Sequence, residues 1–542
     1  MAKRFVTIFF IVLGISMFLV TGYFLVLLLA PGFEAFGLKY IHKGARKYDS
    51  GKVLILNEMT DLGYTSFSGS IILNVEETPV YVEFTESNGY YVRYHEDYSG
   101  FTRTDIDFPS IKFERDNLGN AVINVKGFEK WLWKNDNTER YVKLYIPLNA
   151  VSGSNANTTD LKIISDSSDI TFSNGFEHED LRVPTFDEVE FETNGNIVYN
   201  TLVRARTLKY TTKSSIIVDK EFKKSLNATN YILNSKNGRI NIEVPVTGDV
   251  TATTKIYDIK LISCRNLNVT TEDGNIKCFD KDSTIQVSGA VNINSKTGSV
   301  ELGKVLGTAE NSITTTSGNV TIEKINNGSV TTKRGSVRIT SVNNLKIDTN
   351  MGKVYVEESL SKVNISTKRG NVVLGGNNMT VNNPTVFTRL GKVTIDSASQ
   401  KVNVETIYSD VKFTNKDSAD VTIISGGELI ATGLTGKVNL KSNGDTNIEF
   451  IKITQESVLE VGEKAKTVVV KAVENAKGDT RYILQGKMVT RYEDNDNGTG
   501  TFSKVESSTN ITNKLNGTEP LLKVTATSAD VSLYMKAEFT EE

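Results

Sequence analysis

The chain has 542 residues with 62 basic and 64 acidic side chains, a formal net charge of −2, which gives no basis for wholesale binding to nucleic acid or to an acidic surface. Only 8 prolines, 41 glycines and abundant Asn, Thr, Ser and Val favour turns and strands over long helices. The two cysteines, Cys264 and Cys278, exclude a disulfide framework and show no metal-type spacing. They read as two small buried apolar residues, with a single disulfide as the alternative.

At the N-terminus, Lys3 and Arg4 precede an uncharged, mostly apolar run from Phe5 to Ala30. A cleavable signal has an apolar core of about 7 to 15 residues, and this run of about 26 is longer. As a helix it reaches about 39 Å, enough to cross a hydrocarbon layer of about 30 Å with tilt. Residues 1–32 are therefore expected to form an uncleaved single-pass transmembrane helix. Charge counting leaves its orientation open, because Lys39, Lys43, Arg46 and Lys47 on the far side balance Lys3, Arg4 and the free amine and slightly favour a cytoplasmic bulk. The juxtamembrane segment 33–48 reads, from Phe33 to Lys47, as a short amphipathic helix on the headgroups.

Residues 49–160 carry longer strand patterns and most of the bulky aromatics. "FSGSIILNVEETPVYVEF" from Phe67 reads as a strand pair, and "RYVKLYIPLNA" from Arg140 as a strand ending at proline. Trp131 and Trp133 alternate onto one face of a third strand. An apolar cap over an open first coil explains them, since a terminal coil exposes unpaired backbone groups; a sugar-stacking platform is the alternative.

From 161 to 450 a short phrase recurs: Thr or Ser, two variable residues, Gly or Ser, then two apolar residues separated by one. Tandem copies start at Thr315, Thr332, Thr349, Thr367, Thr388 and Thr406 ("TTSGNVTI", "TKRGSVRI", "TNMGKVYV", "TKRGNVVL", "TRLGKVTI", "TIYSDVKF"), with looser copies such as "SKTGSVEL" at Ser295 and "SDSSDITF" at Ser165. The period of about 17–18 residues implies a solenoid. Within one coil Val337 and Ile339, then Val342, then Leu345 and Ile347 alternate with Arg338, Thr340, Lys346 and Asp348, which is strand and not helix spacing. Short strands joined by tight corners and stacked about 4.8 Å apart make a single-chain, all-β β-helix. Gly298, Gly318, Gly335, Gly352, Gly370 and Gly391 mark the corners, where a positive φ or a close backbone approach excludes a Cβ.

The residues just before the corner glycine face solvent and align from coil to coil. Lys296, Lys333, Arg334, Lys368, Arg369 and Arg389 are thus expected to line one edge, and residues 285–400 hold 13 Lys or Arg against 7 Asp or Glu. The plainer reading is a solvated charged edge that discourages side-on aggregation; the functional one is docking of an anionic glycopolymer or lipid headgroup.

Residues 451–542 lose the rhythm and read as further strands with a hairpin, closing the same β structure. "EDNDNG" at Glu493 lacks the carboxylate register and distal Glu of a calcium loop and reads as a turn. His42, His95 and His178 are far apart in sequence, and "FEHED" around His178 reads as a solvated loop. No Gly-x-Ser-x-Gly, His-Glu-x-x-His or phosphate loop occurs, and the coils between 285 and 384 offer Tyr355 alone among aromatics for a sugar ring. Neither an enzyme nor a cofactor is expected.

The order of anchor, "SGSI" strand, Trp-containing strand, "LYIP", "SDSSDITF" and a run of Gly-x-Val-x-Ile coils resembles the bacterial putative-adhesin family of single-chain β-solenoids, over about residues 60 to 540. The resemblance implies an envelope or cell-surface setting and supplies no catalytic residues; the long anchor and the many coils depart from it. The chain is expected to be a single-pass protein of the cell membrane, its bulk extracellular, binding glycans or other envelope polymers as an adhesin does. The alternatives are a non-catalytic envelope scaffold and a polysaccharide-modifying enzyme.

Overall fold

The computed structural model describes residues 2–29, 41–57, 59–60, 63–64, 69–103, 109–127, 139–152, 159–166, 168–173, 183–200, 203–218, 226–281, 286–376, 379–415, 419–474, 481–494, 502–512 and 521–537. About 65% of the chain is strand, arranged as a β-solenoid behind one N-terminal apolar helix, as the repeats imply. It divides into two compact units, residues 1–248 and 249–542.

In the first unit the helix runs from Ala2 to Leu29, and its Val6–Phe24 stretch is long and apolar enough to cross a membrane. Within it the Thr21 hydroxyl donates to the Met17 carbonyl at 2.7 Å, which hides a polar group in an apolar helix. The segment after it corrects one expectation. Of the expected amphipathic helix from Phe33 to Lys47, residues 33–40 lie outside the described residues, and residues 41–47 belong to a strand, Ile41–Asp49, paired antiparallel with Gly89–Arg103. A long partner strand satisfies its backbone and outweighs the weak helical pattern.

The parallel ladder starts well before residue 161. Ile71–Val75 lies between Ala121–Lys126 and Leu161–Ser165, and Val80–Thr85 between Glu139–Pro147 and Ile170–Ser173. The first coil therefore comes from residues 71–85, and the strands 121–126 and 139–147 cover it. Leu161–Ser165 then leads through Thr185–Thr193 and Arg204–Thr212 to Asn227–Ser235, and Ile170–Ser173 through Ile197–Asn200 and Ile216–Val218 to Ile240–Ile242. Buried rings fill this unit: Phe172 stacks on Tyr199 at 5.6 Å, Phe191 on Tyr210 at 5.2 Å, and Phe84 meets Phe172 edge-on at 5.5 Å.

In the second unit the core turns aliphatic. Val320–Thr332, Val337–Thr349 and Val354–Thr367 each run through almost a whole coil and pair in parallel register, Val320 with Val337 and Val337 with Val354, 17 residues apart. Elsewhere the step widens, to 24 between Ile276 and Val300, so the average is about 20 and not 17–18. The extra residues of that step lie between Cys278 and Val287, outside the paired positions, so the strand register stays intact, and a longer connection costs little. The coils also continue past residue 450: Leu521–Ala526 and Asp530–Ala537 stack on Ser457–Val461 and Thr467–Glu474 and are covered in turn by Arg481–Asp494, which hairpins with Phe502–Thr512. Both cysteines are buried, and neither forms a disulfide.

Candidate functional site

The site begins with a backbone constraint. The Thr-x-x-Gly strands end on an inward, buried hydroxyl, and at four successive corners the amide three residues on donates to it: Gly335 to Thr332 Oγ1 at 2.9 Å, Gly352 to Thr349 at 3.2 Å, Gly370 to Thr367 at 2.8 Å and Gly391 to Thr388 at 2.9 Å; at the coil before them the Thr315 hydroxyl instead donates to the Gly318 carbonyl at 2.9 Å. A Cβ built on Gly352 would lie 1.7 Å from the carbonyl oxygen of Gly335, and one on Gly298, Gly318, Gly335, Gly370 or Gly391 would lie 1.8 to 1.9 Å from that of the corner glycine one coil back. None of these six has a positive φ. Close approach, the second of the two reasons the sequence offers, is therefore what selects glycine.

With the hydroxyl inward and the glycine pressed on its neighbour, the two residues between them must project outward. Their amides are bonded coil to coil, Arg369 to Asn350 O at 2.8 Å, Leu390 to Lys368 O at 2.9 Å and Tyr408 to Arg389 O at 3.1 Å, so the side chains stand in fixed columns. The register Thr332, Thr349, Thr367, Thr388, Thr406 puts Lys333, Asn350, Lys368, Arg389 and Ile407 in one column and Arg334, Met351, Arg369, Leu390 and Tyr408 in the next. Lys296 lies further back, beyond the coil of Thr315, and reaches Glu272 at 3.5 Å. Lys333, Arg334, Lys368, Arg369 and Arg389 are exposed and make no ion pair among the described residues.

Sequence reasoning found the cations and missed what separates them. Met351, Leu390, Ile407 and Tyr408 are 48%, 48%, 39% and 61% exposed. The signal was present, since "TNMG", "TRLG" and "TIYS" occupy the same slots as "TKRG". A second ladder was also overlooked: the side-chain oxygen of the residue after the corner accepts the amide of its counterpart one coil on, as from Asn275 to Asp258 at 2.8 Å, Ser336 to Asn319 at 2.9 Å and Lys392 to Asn371 at 2.9 Å.

A neutral surface lies on the strand leading into the corner. On five successive coils its two outward positions are Thr251 and Thr253, Asn268 and Thr270, Asn292 and Asn294, Ser312 and Thr314, Ser329 and Thr331, aligned residue on residue. All ten are hydroxyl or amide side chains.

In the first unit, His95 and Asp97 share one face of the strand Gly89–Arg103, with Asp49 and Tyr141 opposite His95 on the flanking strands and Glu139 beside Asp97. The Tyr141 ring stacks on His95 at 5.0 Å, and the imidazole nitrogens lie 3.5 Å from Asp49 Oδ2 and 3.5 Å from Asp97 Oδ1. One donor atom from each of His95, Asp97 and Glu139 falls within 4.8 Å of the others, the described group with metal-type geometry. The Lys47 ammonium, 2.9 Å from Asp97 Oδ2, already supplies a cation there. Arg93, bonded through Nε to Asp49 Oδ1 at 3.0 Å, holds the Asp49 carboxyl well below the usual range. Only His95 and Asp97 could be grouped from sequence, by their spacing of two on a strand. Trp131, Trp133, His178 and most of "EDNDNG" lie outside the described residues.

No family model matches the chain. No curated protein matches it either. Among solved structures, a putative cell adhesion protein from Clostridium sporogenes is 7% identical, with 91% of this chain and 100% of that one covered and a TM-score of 0.15.

Proposed function

We propose that the chain is a single-pass membrane-anchored, adhesin-like solenoid whose bulk stands outside the cell and binds glycans or other envelope polymers without catalysing a reaction. The observation that carries this reading is the ten-position Thr, Asn and Ser lattice on five stacked coils. Coils about 4.8 Å apart, with outward positions about 6.6 Å apart along each strand, give a fixed grid of donors and acceptors. Such a grid suits a repeating polymer held by many weak contacts whose effects multiply along the array. Its outward positions bear no carboxylate pair of the kind glycosidic hydrolysis uses, which supports a binding role. The apolar stretch Val6–Phe24 supports the anchor.

Protease shaving of intact cells that express the full chain with a C-terminal tag tests the setting. Loss of the tag is expected; a tag that survives on intact cells and is digested only after lysis overturns the surface reading. Deleting lattice coils in pairs then separates adhesion from scaffolding. Binding to envelope polymers should fall gradually with each pair removed, whereas an all-or-none loss, or no binding by the intact chain, would favour the scaffold.

A further inference from the structure

We propose that the corner edge of the second unit, from Lys333 to Tyr408, docks on an anionic lipid bilayer; this deepens the surface-binding reading by naming the partner of the cationic edge. Over five coils the two columns hold five cations that make no ion pair among the described residues, together with Met351 on a coil between them, Leu390 on the coil of Arg389, and Ile407 and Tyr408 on the coil after it, each more than a third exposed. Isolated exposed apolar residues are ordinary on any protein. Here Met351 and Leu390 alternate with Arg334 and Arg369 down one column and Tyr408 follows Leu390, over a ridge about 19 Å long at about 4.8 Å per coil.

That alternation decides between the two polyanions the edge suits. A hydrated glycopolymer would pair with the cations and gain nothing from Met351 or Leu390, which would stay in water. A bilayer offers both halves of the match: headgroup phosphates attract Lys and Arg, while short apolar and tyrosine side chains enter the boundary beneath them. Of the nearby acids, Asp348 is paired with Lys346 at 3.1 Å and Asp410 faces Lys392 at 4.0 Å, which leaves the exposed Glu405, one residue before Thr406, as a single carboxylate against five cations. The turn backbones are already bonded coil to coil, so docking orders no loop.

The test holds the full chain in phosphatidylcholine nanodiscs and measures co-sedimentation with separate vesicles of phosphatidylcholine, alone or mixed with phosphatidylglycerol. The wild-type chain should bind the anionic vesicles and not the neutral ones. Removing five charges (K333Q, R334Q, K368Q, R369Q, R389Q) should weaken binding at least a hundredfold, since each charge near an anionic surface is worth roughly fivefold. The triple variant M351S, L390S, Y408S should lose about tenfold on vesicles while binding soluble dextran sulfate as the wild type does. All eight positions are exposed, so circular dichroism should show unchanged strand content. Vesicle binding that survives charge removal overturns the proposal. Equal vesicle binding by the triple variant also overturns it and makes the edge a polyanion site. Neither outcome touches the shaving experiment or the neutral lattice, so the broader reading stands or falls separately.

Discussion

A Cβ built on Gly352 falls 1.7 Å from the carbonyl oxygen of Gly335 one coil back. No side chain fits there without moving one coil against the other, and the same contact recurs at Gly298, Gly318, Gly335, Gly370 and Gly391, whereas Ser409 closes the coil of Thr406. Gly352→Ala should therefore cost about 3 kcal/mol or more, at the upper end of overpacking effects. Gly119, at φ +82 with nothing within 4 Å of where a Cβ would stand, is the control: Gly119→Ala pays only for backbone conformation, about 1 kcal/mol. Because a solenoid loses stability locally, hydrogen exchange is the measurement, with protection falling first in the coils on either side of Gly352. Equal effects of the two substitutions would show that contact does not select glycine here.

The hydroxyl of Thr349 is the other half of that corner. It is buried and accepts the Gly352 amide, so Thr349→Val keeps the shape and strands the donor, at a cost of about 1–3 kcal/mol. Thr349→Ser should restore most of the loss. If valine is tolerated as well as serine, the hydrogen bond is incidental and inward Thr serves only to fill space.

These two residues also show where sequence reading succeeds and where it stops. The corner is local: Thr349 and Gly352 are three apart, repeat at a fixed period and alternate with apolar partners, so fold class and corner identity follow from the string alone. The cation positions follow for the same reason. The ends do not, because residues 71–85 lie beneath strands 121–126 and 139–147, and residues 521–537 beneath 481–494. Those pairings join residues far apart in the chain and obey no period. The grouping of Glu139 with His95 and Asp97 is hidden likewise, being set by a register between distant strands.

The Tyr210 hydroxyl is buried without a hydrogen-bond partner among the described residues, and burial with the neighbouring Tyr199 pushes its pKa well up. Its ring packs on Phe191, a contact that phenylalanine would keep. Tyr210→Phe should raise stability by about 1 kcal/mol, read from the urea midpoint of the full chain. A loss of stability would reveal a partner such as a buried water.

Cys264 and Cys278 are 4% and 0% exposed, and hydrogen bonding to Cys278 together with burial pushes the Cys264 thiol well above its ordinary range. A protonated, inaccessible thiol is a poor nucleophile. Native protein should fail to react with a disulfide reagent over hours, and denatured protein should titrate both thiols at once. Reaction at native speed with either cysteine would mean that these coils open readily.

Asp249 binds Arg265 through two hydrogen bonds, 2.6 Å to Nε and 2.8 Å to a terminal nitrogen, and accepts the Asn266 amide group at 2.7 Å. Arg265 first, then Asn266, hold its carboxyl below the usual range against the opposing effect of burial. A carboxyl whose folded pKa is depressed stabilises the fold above its unfolded value of about 3.9, and that contribution disappears as pH falls through the folded value. Asp249→Asn should thus lower the urea midpoint at pH 6 and match the wild type at the acid end of the range, the gap closing below about pH 4. Both side chains are substantially exposed, so the effect at pH 6 is small and salt should shrink it. A gap that persists unchanged into acid would assign the loss to the Asn266 contact and not to the charge on Asp249.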